Sequence, residues 1–136
     1  MEKLTLPDPA ASLWKRIRDT VHELGTRRPE QQIRPHLGGG TTLAARWGHR
    51  RSTDIDVTLP GDPSLGDLAR KDEQNLAMRI GGKASREDED EIKVICPDGA
   101  LHVARLKPHA PGAESIALVD GQEEIVLSNA QILRGK

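Results

Sequence analysis

The chain has 136 residues, 35% of them hydrophobic and 30% charged, with a net charge of −1. That length allows one domain with a core of modest margin, and the near-neutral charge removes any global pull toward nucleic acid. With no Phe or Tyr and two Trp, binding by broad base stacking is disfavoured, and Cys96, the single cysteine, leaves neither an internal disulfide nor a cysteine zinc cage.

No run approaches the roughly 20 apolar residues of a membrane span, and Met1 to Pro9 lacks the apolar centre of a signal peptide. The expectation is a cytoplasmic protein with no membrane partner. Leu13, Ile17, Val21 and Leu24 recur at spacings of three and four, which predicts a helix from about Ala10 to Leu24 with Gly25 as its stop. A short strand over Ile33 to Leu37 then runs into Gly38-Gly39-Gly40, and a helix is expected from Thr41 to Trp47, with Trp47 packed in the core four residues after Leu43.

Asp54 to Leu59 alternates with period two and is closed by Pro60-Gly61, a strand signal. Leu65 to Ile80 reads as a helix with Leu65, Leu68, Leu76 and Ile80 inward, ended by Gly81-Gly82, and the acidic run Glu87 to Glu91 reads as a solvated loop. Two hairpins follow. Ile92 to Cys96 pairs with Ala100 to Leu106 across Pro97-Asp98-Gly99, and Ser115 to Val119 pairs with Glu123 to Leu127 across Asp120-Gly121. Cys96 falls in an apolar run as a small core residue. Ser128 is placed to cap a last helix over Ala130 to Arg134. The mixture predicts an α/β (α+β) fold, a mixed twisted sheet flanked by helices, spanning residues 1–136 as one domain.

The chemistry concentrates between Leu37 and Val57. Gly39 and Gly40 let a phosphate approach the backbone, the free N–H groups at the head of the next helix favour an anion, and Thr41 adds a hydroxyl there. Asp54 and Asp56 lie two apart on a strand, so both carboxylates share one face with about 6.5 Å between their Cα atoms. Such a pair suits metal ions about 3.5–4 Å apart. Taken singly, the glycines are equally a plain turn and the Asp pair a solvated strand end; their succession makes a site. Arg46, His49, Arg50 and Arg51, with Ser52, lie between, either as a solvated helix end or as cations offsetting triphosphate charge, Arg50 and Arg51 foremost.

The stretch Gly-Gly-Thr-Thr-Leu-Ala-Ala-Arg-Trp-Gly-His-Arg-Arg-Ser-Thr-Asp-Ile-Asp resembles the nucleotidyltransferase signature of the DNA polymerase β-like superfamily. Its form is similar to the AbiEii-type group, the toxin side of abortive-infection and toxin–antitoxin systems. The resemblance implies a minimal nucleotidyltransferase-like fold and transfer of a nucleoside monophosphate from a nucleoside triphosphate (NTP) to a hydroxyl of RNA or protein. Gly39, Gly40, Thr41, Arg50, Arg51 and Ser52 would hold the nucleotide, and Asp54 and Asp56 would hold two Mg2+ ions. It also implies a cognate antitoxin as a partner, and a helical region after the catalytic domain that this sequence lacks. Exposed hairpin strands leave a homodimer open.

The superfamily's third carboxylate has no Asp or Glu equivalent within Leu101-His102-Val103-Ala104-Arg105. His102 is the expected replacement and a catalytic candidate, with Ala104 the alternative register and Asp90 or Glu91 substitutes from the neighbouring strand end. Besides an active transferase, the sequence therefore admits a degenerate nucleotide- and metal-binding or partner-binding module without turnover, or a plain α/β domain. A Walker-type hydrolase is disfavoured because the turn lacks Gly-Lys-Ser/Thr.

Overall fold

The alternation of Ile55, Val57 and Leu59 with Asp54, Asp56 and Thr58 organises the molecule, because a strand sends such residues to opposite faces. In the computed structural model, which describes residues 1–26, 35–48, 51–60, 74–88, 91–106 and 113–134, the three apolar residues are buried and the polar three are half-exposed. They form β5 (Asp54–Pro60), near the middle of an eight-stranded sheet.

The preceding elements are β1 (Glu2–Leu4), β2 (Asp8–Pro9), α1 (Ala10–Thr26), β3 (His36–Gly38), α2 (Gly39–Trp47) and β4 (Arg51–Ser52). After β5 come a helical stretch, α3, over 74–80, then β6 (Lys83–Asp88), β7 (Glu91–Cys96), β8 (Gly99–Leu106), β9 (Glu114–Val119), β10 (Gln122–Leu127) and α4 (Asn129–Arg134). Strand order is β1-β9-β10-β3-β5-β8-β7-β6, with β2 and β4 forming a separate parallel pair. The sheet is mixed: β5 and β8 run parallel, whereas β3 with β5, β7 with β8 and β9 with β10 are antiparallel.

Leu13, Ile17 and Val21 of α1 and Leu76 and Ile80 of α3 join one buried cluster with Ile55, Val57, Val94, Leu101 and Val103 of the sheet. Burying each such side chain stabilises by about 1.5–3 kcal/mol. A second cluster of Leu43, Leu127 and Ile132 links α2, β10 and α4. Polar groups also fasten the helices. Glu124, 2% exposed, accepts from Arg18 Nε at 2.6 Å and faces His22 Nε2 at 2.7 Å, pinning α1 to β10. Arg46 of α2 reaches Glu2, the Leu127 carbonyl and Asn129, so this cation is committed to holding α2 against β1 and α4.

Both expected hairpins form, Cys96 is buried, and Ser128 Oγ accepts from Gln131 N–H at 3.2 Å as the α4 cap. Other expectations are corrected. The α1 helix passes Gly25 to end at Thr26, and α2 starts on Gly39 instead of Thr41, because a glycine with φ +67 and no side chain opens the helix directly from β3. Glu87 and Asp88 belong to β6 and Glu91 to β7, so these three are strand residues and not a loop; β-pairing satisfies backbone groups that a loop would leave to water. Trp47 is 53% exposed: the buried residues of α2 run from Thr41 to Ala44, and Trp47, the last residue of the helix, lies beyond them. Ile33, His49, Arg50, Gly61, Leu65, Leu68 and Asp90 lie outside the described residues, as do the side chains of Leu24 and Glu87.

Candidate active site

The α2 helix opens on Gly38, a residue with no side chain to cap it, and the first N–H groups of a helix have no partner within the helix itself. The sequence places Gly39, Gly40 and Thr41 at these positions, and Gly40 is exposed. A Cβ on Gly39 would stand 2.0 Å from Asp56 Oδ2, so the helix head lies directly against the Asp56 carboxylate. The Gly38↔Asp56 pairing of β3 and β5 produces that contact. The glycine-rich helix head and the carboxylate strand are thus adjacent in space as well as in sequence.

The Thr41 hydroxyl is buried, donates to the Asp54 carbonyl and contacts Ser52 Oγ. It ties α2 to β4 and β5, so its remaining offer to an anion is its backbone N–H. Ser52 is half-buried in the same tie, and Arg51 stands exposed on β4, opposite Asp8 in register. Arg50 is outside the described residues, leaving Arg51 as the described member of that pair.

Across β5 and β8 the register pairs Asp54 with Ala100, Asp56 with His102 and Thr58 with Ala104. His102 therefore stands opposite Asp56, whereas Ala104, the alternative, stands opposite Thr58. The reason lies at the strand start. Gly99 packs so closely on Thr53 that a Cβ would come within 2.1 Å of its carbonyl, and Ala100 N–H donates to that carbonyl at 3.3 Å. Only a glycine fits there, with φ +145, and the strands are locked from that point.

His102 Nδ1 lies 3.2 Å from Glu91 Oε1, and Nε2 lies 3.9 Å from Asp54 Oδ2. Asp54 also accepts from Thr53 Oγ1 at 3.2 Å, and its side chain is 47% exposed. From the sequence Glu91 is a substitute carboxylate at a strand end; its contact with His102 needs the β7–β8 pairing. Lys93, directly opposite His102, extends the row from Asp56 through His102 to a cation. The alternation Glu91-Ile92-Lys93-Val94 was the sequence signal for that shared face. An open groove of about 440 Å³ leads away from Asp54 past Thr53, Lys93 and Ile95. At its rim, a hydrogen bond and ion pair with Arg16 hold the Asp98 carboxyl below its ordinary range.

The donor set fits a hard divalent ion in part. Two half-exposed carboxylates share one strand face, although among the described residues no three His, Cys, Asp or Glu side chains enclose an ion unaided. Nucleotide oxygens would have to complete the coordination.

Neither a protein-family model nor a curated protein sequence matches the chain. Solved structures do. The solution structure of the antibiotic-resistance factor ANT(2″)-Ia aligns at 22% identity over 84% of this chain and 50% of its own, with a TM-score of 0.45. A crystal structure of ANT(2″)-Ia in complex with adenylyl-2″-tobramycin aligns at 20% identity over 85% of this chain and 71% of its own, with a TM-score of 0.51. This chain thus spans half the length of the first and 71% of the second. At such identity the likeness is one of fold: the mixed sheet and its helices are similar to a nucleotidyltransferase fold.

Proposed function

We propose that this chain binds a nucleoside triphosphate with its phosphates over Gly39, Gly40 and Thr41 and transfers the nucleoside monophosphate to a hydroxyl acceptor on RNA or protein. The observation carrying this reading is the contact of Gly39 with the Asp56 carboxylate, which sets an anion-attracting helix head beside the metal-type Asp pair. Asp54 and Asp56 would hold magnesium, which when bound offsets the charge of the triphosphate and leaving pyrophosphate. The nucleotidyltransferase fold of the sheet is consistent with it. The acceptor oxygen forms a new bond to the α-phosphorus, the bond from that phosphorus to the β-phosphate bridging oxygen breaks, and pyrophosphate leaves with the electron pair. The hydroxyl proton passes to solvent or a nearby base. Catalysis is then chiefly orientation and electrostatics.

The AbiEii-like form of the Gly-His-Arg-Arg-Ser segment supports a toxin-side role, for which growth arrest on expression, relieved by Asp56→Ala, is the expected sign. A second reading, nucleotide and metal binding without turnover, is favoured by one observation: the position opposite Asp56 on β8 is His102 and not a carboxylate.

The deciding experiment is titration of each nucleoside triphosphate with and without Mg2+, beside an Asp54→Ala/Asp56→Ala double variant, followed by transfer of α-labelled nucleotide to RNA and protein. Metal-dependent binding should fall by at least 100-fold in the double variant. Equal behaviour of the two proteins would remove the site altogether. Binding without label transfer to any acceptor would favour the second reading.

A further inference from the structure

The transfer scheme above leaves the His102–Glu91 pair unused. One ring nitrogen of His102 is anchored on Glu91 at 3.2 Å, while the other faces Asp54 Oδ2 at 3.9 Å, beyond hydrogen-bond range. A histidine that ligates a metal is held in this way: a carboxylate behind it fixes the tautomer, and the opposite nitrogen keeps its lone pair for the ion. Two donors 3.9 Å apart can be spanned by one divalent ion at ordinary ligand distances of about 2.0–2.2 Å. Burial agrees, because the His102 side chain is 18% exposed and that of Glu91 32%, against 47% for Asp54, so the open side of the trio is the one that meets solvent.

We propose, resting on the nucleotide-binding reading above, that His102 is a nitrogen ligand that shares one divalent ion with Asp54. Glu91 is its positioning residue. Magnesium favours oxygen ligands, whereas first-row transition ions accept imidazole readily. Replacing a carboxylate by His102 therefore shifts this position from magnesium toward Mn2+ or Co2+. The side chains supply two donors, and the triphosphate oxygens close the rest.

The test uses the full chain with a non-hydrolysable α,β-methylene triphosphate, titrated with Mg2+ and with Co2+ by calorimetry, while the visible spectrum of Co2+ reports nitrogen ligation. The decisive quantity is the ratio of the two affinities, because most sites bind Co2+ better than Mg2+. His102→Ala should lose about tenfold or more in Co2+ affinity and little in Mg2+ affinity. His102→Asp should move the ratio toward Mg2+, and Glu91→Ala should lose about tenfold in Co2+ affinity. If His102→Ala does not fold, His102→Gln carries the same comparison.

An unchanged ratio and cobalt spectrum in a folded His102 variant would overturn the assignment, leaving His102 as a bridge between two carboxylates. The nucleotide reading would survive that result if the Asp54→Ala/Asp56→Ala variant still lost metal-dependent binding. Absence of nucleotide binding to the wild type with either metal would overturn both.

Discussion

Two polar clusters, on different parts of the sheet, each set a carboxylate against a histidine and differ in how fully they are satisfied. At β10, Glu124 is 2% exposed and both its oxygens are engaged, by Arg18 Nε at 2.6 Å and His22 Nε2 at 2.7 Å. At β5, Asp54 is half-exposed and faces His102 Nε2 across 3.9 Å without a hydrogen bond. A carboxylate whose partners are all supplied by its own chain is a fastening, because removing it strands buried charge. A carboxylate left half-wet retains coordination capacity for a ligand. Burial and satisfaction, more than residue identity, separate the two.

The largest effect should come from breaking the first cluster. Glu124→Ala takes from Arg18 and His22 the buried carboxylate they share, and an expected loss of about 3 kcal/mol would lower the melting temperature by about 10 °C. Metal-dependent nucleotide affinity, measured where the variant is still folded, should not change. If it falls with stability, the contrast between the clusters is wrong.

Gly39→Ala strikes the second cluster. Its Cβ meets Asp56 Oδ2 at 2.0 Å on a backbone with φ +67, so either the carboxylate or the helix head must move. A stability loss of about 1–2 kcal/mol is expected, with nucleotide affinity falling about tenfold or more. Calorimetric denaturation beside nucleotide titration separates the two, and a change in stability alone would reduce Gly39 to a backbone requirement.

The smallest effect belongs to a surface pair that fits neither extreme. Arg16, also bonded to the Ile80 carbonyl, holds Asp98 through a 2.7 Å ion pair, with side chains 41% and 34% exposed. Because the folded Asp98 carboxyl titrates below its unfolded value, the pair adds stability above the unfolded carboxylate range and loses it as pH falls through the depressed folded value. Asp98→Asn should therefore cost under about 1 kcal/mol at neutral pH, with the difference from wild type vanishing in strong acid. Melting curves across acidic pH check the sign; a gap that widens in acid contradicts it.

Legibility of the site in the sequence varied by residue. Gly39, Asp54 and Asp56 were readable because glycine turn, short helix and alternating strand are local signals, each a few residues long. Thr41 was readable as a helix-head residue but not as a buried tie to the Asp54 carbonyl, since that contact depends on how α2 lies across β5. Trp47 was misread because a spacing of four residues shows which side of a helix a residue takes, and not whether anything covers that side.

By itself the sequence determined the two Asp-Gly hairpins, the Ser128 cap, the carboxylate strand and the order of glycine, short helix and strand from Gly39 to Asp56. These follow from steric and hydrogen-bonding preferences that act within a few residues. Only the tertiary structure decided that β8 lies parallel to β5 with His102 opposite Asp56, that Glu91 stands behind His102, and that Glu124 is sealed against α1. Strand register and partner choice depend on contacts between segments far apart in the chain. At the β5–β8 seam, Gly99 against the Thr53 carbonyl fixes the pairing that puts each side chain in its place.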